Sequence, residues 1–269
     1  MPDDTNADRP KSRPANQMAQ ITDILSTLDE LLKPSEFDDL GPNGLQVPGA
    51  EEVTRVVTGV SARRELHERA VELGAQLVLV HHGLFWKFHP TGLTPLVAER
   101  LRPLLVHDIN LVAYHLPLDA HPEVGNNALL ARALGCVERA PFGDYKGRAI
   151  GCRGRFPEPL TRDELGARVH AATGREPLLL GKSATGIRSI GIVSGSAADT
   201  LHEAAALGLD AFLTGEPREH ITADAEELAM TFVAAGHYAT ETFGVRALGE
   251  LLADRFGVDH VFVELSNPV

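Results

Sequence analysis

The sequence predicts an α/β protein with two duplicated-looking lobes, mostly parallel sheets, and a metal site in the cleft between the lobes. Three observations support this fold class. Short apolar runs alternate with helical patterns, a helix with the same Leu-His-Glu triplet occurs twice, and metal-ligand residues follow several of the apolar runs. Strands that alternate with helices form parallel sheets with right-handed crossovers.

The apolar runs have the length and composition of buried strands. AQLVLV (75–80) is apolar throughout, which is typical of a strand covered on both faces of a parallel sheet. Further strands are predicted at 53–61, 109–115, 189–195, 210–215, 230–237 and 258–265. Helices are predicted at 18–33, 61–74, 94–107, 126–134, 196–208, 216–229 and 241–257, and residues 140–185 should add a strand and a helix.

The two halves of the chain can be aligned with one another. The helix at 61–74 matches 196–208, with Leu-His-Glu at 66–68 and again at 201–203. Further on, an HxxxD element at 115–119 lies opposite an HxxxE element at 237–241. We interpret this as an internal duplication, with a first lobe at 18–138, a second at 139–269, and elements that could be exchanged between them. Residues 1–17 are polar, contain three prolines and are predicted to be disordered.

Composition narrows the class of protein. The net charge is -12 and no basic stretch stands out, so nucleic acid is not expected as a partner. The two cysteines have no ligand or disulfide spacing, and the first residues lack the apolar region of a signal peptide, so we expect a cytoplasmic protein. No apolar run approaches the roughly 20 residues of a membrane span, so no membrane partner is expected.

Five residues at predicted strand ends form the candidate ligand set. Ligands of open α/β sheets gather at the carboxyl ends of the strands. The run AQLVLV ends in His81 and His82, the next strand leads to Asp119, and the strand at 230–237 leads to His237 and Glu241. Two adjacent histidines on a strand point to opposite faces, so we expect the strand to have ended at this pair, with Gly83 allowing a turn.

The size of this set predicts two metal ions per chain. A catalytic zinc typically keeps three protein ligands, so five ligands are too many for one ion. A carboxylate bridge would divide them between two ions, and Glu241 is the predicted bridge. Imidazole and carboxylate ligands suit zinc, manganese, iron or cobalt, and the pattern does not choose among these metals.

Several motifs nearby allow two interpretations. The stretch 43–47 is either a turn or a source of polar groups near the metals, and the aromatic residues at 85–88 are either core or pocket lining. The segment 125–127 is either a plain helix cap or an anion-binding helix start. Glu216 aligns with His82 in the duplication and either points into the cleft or does not. His67 and His202 occupy matching helix positions, for which a packing role is predicted.

The motifs together resemble a known family. NGLQV (43–47), LVLVHHGLFW (77–86), YHLPLDAHPEVGNN (114–127), LTGE (213–216) and GHYATE (236–241) occur in the order found in the dinuclear metal-centre family of GTP cyclohydrolase 1 type 2 homologs. The resemblance covers about residues 37–265. It implies the same five ligands, a middle histidine (His115) beside the metals, and a ring-like homohexamer.

The chain departs from the family pattern at three places. Gly83 stands where the family usually has proline, which loosens a turn. Leu116 and Pro117 replace polar residues near the site, which puts a substrate contact in doubt. Tyr238 stands where histidine is frequent, without changing a predicted ligand.

Two functions from different classes fit the pattern. The first is a metal-dependent hydrolase that acts on a small substrate, such as a nucleotide ring, a phosphoester or an amide, with His115 as general acid or base. The second is a non-catalytic metal-binding ring that serves as scaffold or adaptor for protein partners.

Overall fold

Two sheets carry the fold, and the computed structural model describes residues 18–90, 92–181 and 186–269. The predicted disordered tail at 1–17 lies outside these residues. In chain order the described strands are β1 (Ala19–Gln20), β2 (Gly44–Val47), β3 (Glu52–Val53), β4 (Arg55–Ser61), β5 (Leu77–His82), β6 (Asn110–Ala113), β7 (Val137–Tyr145), β8 (Arg148–Leu160), β9 (Leu178–Leu180), β10 (Ile187–Ile192), β11 (Ala211–Thr214), β12 (Thr231–Ala234) and β13 (Asp259–Phe262).

Ten α-helices connect the strands within the described ranges. They are α1 (Ile21–Leu32), α2 (Arg64–Glu72), α3 (Pro95–Val106), α4 (Leu116–Ala120), α5 (Asn126–Ala133), α6 (Arg162–Thr173), α7 (Leu201–Ala206), α8 (Ile221–Glu227), α9 (His237–Thr240) and α10 (Thr242–Phe256). Two short 3₁₀ turns lie at Pro34–Glu36 and Ala198–Thr200. No described helix is both long enough and apolar enough to span a membrane.

The two sheets have corresponding strand orders. The first runs β13-β4-β5-β6-β2 and the second runs β7-β8-β10-β11-β12-β9. Strands β4, β5 and β6 are parallel, as are β10, β11 and β12. An antiparallel strand closes each far edge, β2 beside β6 and β9 beside β12. The predicted fold class, two α/β lobes with mostly parallel sheets, is confirmed.

The halves of the chain exchange their ends. Strand β13 pairs with β4, so the last strand of the chain joins the first sheet. Helix α10 packs on the same sheet, where Val245, Leu248 and Leu252 share a core with Leu77 and Leu79 of β5. Helix α5 makes the reverse exchange. It belongs to the first half of the chain, but its residues lie in the core of the second sheet. A division of the chain at residue 138 therefore separates α10 and β13 from the sheet to which they belong, which is the exchange that the duplication allowed.

Each sheet is covered by helices on both faces. In β5 the alternate residues Leu77 and Leu79 face α1 and α10, while Val78 and Val80 face α2 and α3. This two-sided burial explains why the strand is apolar throughout. The second sheet has α5 and α6 on one face and α7 and α8 on the other.

Candidate metal centre

The predicted residues converge at the carboxyl ends of β5, β6 and β12. Two groups of donor atoms each lie within 4.8 Å of one another, and each group could hold a metal ion. The first group is His81, His82 and His115, and the second is His82, His237 and Glu241. His82 belongs to both groups, so the donors form one continuous cluster.

The histidine pair lies inside β5, which corrects the expectation that the strand ends before it. His81 and His82 are the last two residues of the strand, and His82 is in register with Ser61 of β4. Their rings nevertheless lie 4.7 Å apart. Both reach the same carboxylate because Glu241 lies beyond the strand end: His81 Nε2 is 3.6 Å from Glu241 Oε1, and His82 Nε2 is 3.3 Å from Oε2.

His237 and Glu241 come from the junction of α9 and α10. Gly236 precedes α9 with φ +92°, a left-handed conformation that favours glycine and turns the chain sharply after β12. His237 Nε2 lies 3.2 Å from Glu241 Oε1. Gly195 approaches this carboxylate so closely that a Cβ at its position would lie 2.4 Å from Oε1. The chain that follows β10 of the second sheet is therefore in close contact with the Glu241 carboxylate.

Asp119 lies on α4 and joins the cluster from the side of the first sheet. Its Oδ2 is 3.4 Å from His81 Nε2. Its Oδ1 accepts hydrogen bonds from the Asn126 amide at 2.8 Å and from the Ser194 hydroxyl at 3.1 Å. One oxygen is thus fixed by the protein, and the other faces the histidines.

Two buried donor atoms in the cluster lack a hydrogen-bond partner among the described residues: His81 Nε2 and Glu241 Oε2. A buried polar atom without a partner is costly, by about 1–3 kcal/mol. The nearest imidazole and carboxylate atoms lie 3.3–3.6 Å from these two atoms, without hydrogen-bond alignment. Such a gathering of imidazole and carboxylate atoms fits a divalent metal, which would satisfy both orphaned atoms.

The charges of the cluster are strongly coupled. Burial by itself lowers the pKa of His81, but the carboxylates of Asp119 and Glu241 outweigh burial and hold that pKa well above the ordinary histidine value. Burial opposes the charge of Glu241, yet the histidines around it hold its pKa well below the ordinary value. Burial lowers the pKa of His82 to about 3. In His237 the carboxylates of Glu241 and Glu216 overcome burial and raise the pKa to about 9.

Hydrogen bonds to the far side of each ring fix the histidines. His81 Nδ1 lies 2.9 Å from the carbonyl oxygen of Tyr114, and His82 Nδ1 lies 3.2 Å from the Ser61 hydroxyl. His237 Nδ1 contacts the Glu216 carboxylate. Such partners set the tautomer and orientation of imidazole ligands. The sequence did not decide where Glu216 points. In the structure its carboxylate binds Nδ1 of His237 and so orients the ring.

The sequence analysis missed the partner of His115. His115 Nδ1 lies 2.7 Å from Oδ1 of Asp39, a buried residue in the loop before β2. Burial opposes the charge of Asp39, but hydrogen bonds from His115, Asn43 and the Leu116 backbone lower its pKa to about 2. The only signal in the sequence is that Asp39 precedes the motif at 43–47 by four residues.

Two motifs whose interpretation the sequence left open have side chains that contact the site. Asn43 does supply a polar group at the site, since its Oδ1 accepts the backbone N–H of His115 at 2.7 Å. Asn126 binds Asp119, and the Oδ1 of Asn127 accepts the backbone N–H of Ser194 at 2.7 Å. Both amides are therefore used within the protein at this helix start.

The packing role predicted for the two helix histidines holds for one of them. His67 is buried, and its Nδ1 lies 2.7 Å from the carbonyl oxygen of Arg100. His202 is half exposed and pairs with Asp224 at 3.3 Å, so the packing role predicted for it is wrong.

A cleft of about 690 Å³ opens onto the cluster. His82, His115, Asp119, His237 and Glu241 all line it. Trp86 and Phe88 also line it, with their rings stacked at 5.6 Å, so these two aromatic residues are pocket lining. The Trp86 ring lies 5.2 Å from the His115 ring, edge to face. A ligand in the cleft would meet the aromatic wall and the donor cluster together.

Fold and donor set define a two-lobed α/β protein with a histidine–carboxylate cluster that could hold a metal ion, and comparison with known proteins gives its family. The sequence profile of Duf34/NIF3 (NGG1p interacting factor 3) matches residues 19–268. The chain belongs to this family, which confirms the resemblance seen in its motifs.

Three similar proteins cover nearly the whole chain. A Pseudomonas aeruginosa protein called GTP cyclohydrolase 1 type 2 homolog is 43% identical over 248 residues, which are 92% of this chain and 98% of the relative. The solved structure of protein ybgI, described as of unknown function, has a TM-score of 0.88 and 39% identity, covering 93% and 100% of the two chains. TTHA1606 from Thermus thermophilus has a TM-score of 0.86 and 36% identity, with coverage of 93% and 100%.

Proposed function

We propose that this protein is a metal-dependent hydrolase with two divalent ions per chain, acting on a small substrate. The observation that carries the proposal is the pair of buried, unsatisfied atoms, His81 Nε2 and Glu241 Oε2, within a cluster of imidazole and carboxylate groups. The proposed ligands are His81, His82, Asp119, His237 and Glu241. Zinc, manganese, iron and cobalt all suit this donor set.

His115 is the proposed general acid or base. When bound, the metal ions would lower the pKa of a water molecule and polarise the scissile group. Asp39 accepts from Nδ1 of His115, which leaves Nε2 as the nitrogen that can move a proton. The ring also lies within the first donor group, 4.9 Å from the His81 ring, so it is close enough to the ligands to serve the same reaction centre.

The cleft supports a small substrate with a flat, apolar part. Trp86 lies beside both His82 and His115, at ring distances of 5.8 and 5.2 Å. The relatives' name, GTP cyclohydrolase 1 type 2 homolog, makes a purine nucleotide the first compound to test. Phosphoesters and amides are the other classes that such a centre hydrolyses.

The assembly and location that we propose are a homohexameric ring in the cytoplasm. Leu105 and Val106 at the end of α3 are 58% and 68% exposed, and an oligomer could bury them. Cys136 and Cys152 are buried free thiols, which suits a reducing compartment. Light scattering after size exclusion would measure the number of chains, and a monomer would contradict the ring.

The proposal is tested by turnover with metal content measured in parallel. Wild-type protein loaded with manganese, zinc or iron is assayed on GTP, a phosphodiester and a dipeptide. We expect turnover of one of these and its loss by about 100-fold or more in His115→Gln, the lower range of general acid–base contributions, with metal content retained.

The matched control is His107→Gln, which changes an exposed histidine at the end of α3 and should leave turnover unchanged. Two metal ions per chain without turnover of any substrate class would contradict the hydrolase and favour a metal-binding scaffold for protein partners. Equal turnover in His115→Gln and wild type would remove His115 from the chemistry.

A further inference from the structure

A second cavity, of about 630 Å³, lies behind the turn that carries His237. Its lining shares no residue with the main cleft. It is formed by the end of α6, the start of α10 and the segment after β13. Arg175, Arg246, Thr173 and Thr242 line it, with Glu264 as the acidic residue among the lining.

Arg175 is fixed in place but has a free head group. Its backbone N–H donates to the Thr173 hydroxyl at 3.3 Å, and that hydroxyl lies 3.4 Å from the Arg175 carbonyl oxygen. The aliphatic stem packs against Gly236, since a Cβ there would lie 2.7 Å from Arg175 Cδ. Arg175 is partly buried as a residue, and among the described residues its guanidinium has neither a hydrogen bond nor an ion pair.

Arg246, on α10, also lines the cavity, and two contacts hold its guanidinium in place. One terminal nitrogen donates to Glu264 Oε2 at 2.8 Å, and the guanidinium carbon lies 3.5 Å from the centre of the Phe262 ring. Glu264 balances one of the two positive charges that line the cavity. One positive charge therefore remains, and it belongs to a side chain with five unused N–H donors.

We propose that this cavity binds a phosphate-type oxyanion. A partly buried charge without a partner is unfavourable, and an anion would supply the partner. Guanidinium groups bind phosphate through paired hydrogen bonds. The hydroxyls of Thr173 and Thr242 already donate to the carbonyl oxygens of Val169 and Ala239, so the guanidinium groups supply the hydrogen-bond donors for the anion. The cavity is larger than one phosphate, so either free phosphate or the phosphate end of a larger molecule would fit.

Calorimetric titration of the purified full-length protein with inorganic phosphate tests this site. Arg175→Gln removes the free charge and should weaken binding by about tenfold or more, as expected for hydrogen bonds to a charged group. Arg188→Gln, at an exposed position of β10, is the matched control and should bind as wild type does. Acetate should bind more weakly than phosphate, because a carboxylate offers fewer acceptors.

Phosphate could also bind to metal ions in the main cleft, and Glu241→Gln separates the two sites. Binding that survives Glu241→Gln and is lost in Arg175→Gln supports the second cavity. Binding that is lost in Glu241→Gln and unchanged in Arg175→Gln overturns it, as does equal binding of acetate.

A crystal soak tests the proposal with wild-type protein alone, so the result does not depend on whether the variants fold. A tungstate ion, which is an electron-dense phosphate analogue, should appear between Arg175 and Arg246 in wild-type crystals. Density in the main cleft alone would overturn the proposal, as would an empty second cavity at saturating tungstate.

Discussion

Each half of the candidate metal centre contains a histidine oriented by a carboxylate, but the two carboxylates come from different parts of the fold. In each half, the histidine that follows the third parallel strand forms a hydrogen bond between its Nδ1 and a carboxylate. His115 pairs with Asp39, and His237 pairs with Glu216. Asp39 comes from the loop before β2, whereas Glu216 follows β11 at the position that corresponds to His82. The two lobes thus share the oriented histidine, while the source of the orienting carboxylate differs.

The paired carboxylates differ in how completely the protein satisfies them. Asp119 Oδ1 accepts two hydrogen bonds, from Asn126 and Ser194. Glu241 has contacts to His81, His82 and His237, yet its Oε2 has no hydrogen bond within the described residues. Glu241 therefore keeps one buried carboxylate oxygen that a metal ion would satisfy, which supports its proposed role as the bridge.

The largest effect should come from removing that bridge. In Glu241→Gln the charge at the centre of the cluster is lost, and we expect metal affinity to fall by more than about 100-fold, beyond the effect of outer partners. Metal analysis after gel filtration measures this loss. Glu250→Gln, at an exposed position of α10, should keep the metal, and full metal content in Glu241→Gln would contradict the bridging assignment.

An intermediate effect should distinguish the two orienting carboxylates. In Glu216→Gln a proposed ligand loses its partner, so we expect metal affinity to fall by about 10–100-fold. In Asp39→Asn the partner of the proposed acid or base is changed, so kcat should fall by a similar factor while metal content is retained. Metal titration and steady-state kinetics on both variants measure the difference.

Asp38→Asn is the matched control for Asp39. Asp38 is exposed and pairs with Lys87 and Lys146, away from the donor cluster. This variant should leave both metal affinity and kcat unchanged. If Asp39→Asn lowers metal affinity as strongly as Glu216→Gln does, His115 is a ligand, and the two halves of the centre are functionally equivalent.

The smallest effect per step should be the dependence of metal binding on pH. The raised pKa values of His81 and His237, to about 9 in His237, favour protonated rings at neutral pH when no metal is bound. A metal must displace these protons, so affinity should rise by up to about tenfold per pH unit for each proton, and the part due to His237 should level off above about pH 9. Calorimetry in buffers of different ionisation enthalpy counts the protons released, and no release would contradict protonated histidines.

The same shift has a consequence for the metal-free fold. The raised pKa of His237 means that its protonated form stabilises the folded state fully below the ordinary histidine pKa. That contribution is lost as the pH rises through about 9.

The candidate ligands at the strand ends could be predicted from the sequence, because each one is identified by the short stretch of chain around it. The apolar run 75–80 specified a buried strand, and the residues after it had to lie at the carboxyl edge of the sheet. The contacts of Asp39 and Ser194 were not readable, because each depends on the packing of distant elements. The sequence pattern permitted the exchange of α10 and α5 but did not predict it, because an amphipathic helix does not specify which of two apolar sheets it covers.

The convergence of His81 and His82 shows a limit of strand periodicity. Alternation places the two side chains on opposite faces, and it holds for Leu77 to Val80. At the last two residues of the strand both rings can bend towards a group that lies beyond the sheet. The position of Glu241 therefore decides the geometry, and Glu241 comes from a helix far along the chain.

Anomalous X-ray diffraction from crystals of metal-loaded protein tests the central claim most directly. The account predicts two peaks per chain within the cluster, with Glu241 contacting both and with His81, His82, Asp119 and His237 divided between them. No peak in the cluster, or a single peak at full loading with Glu241 uninvolved, would contradict a two-metal centre.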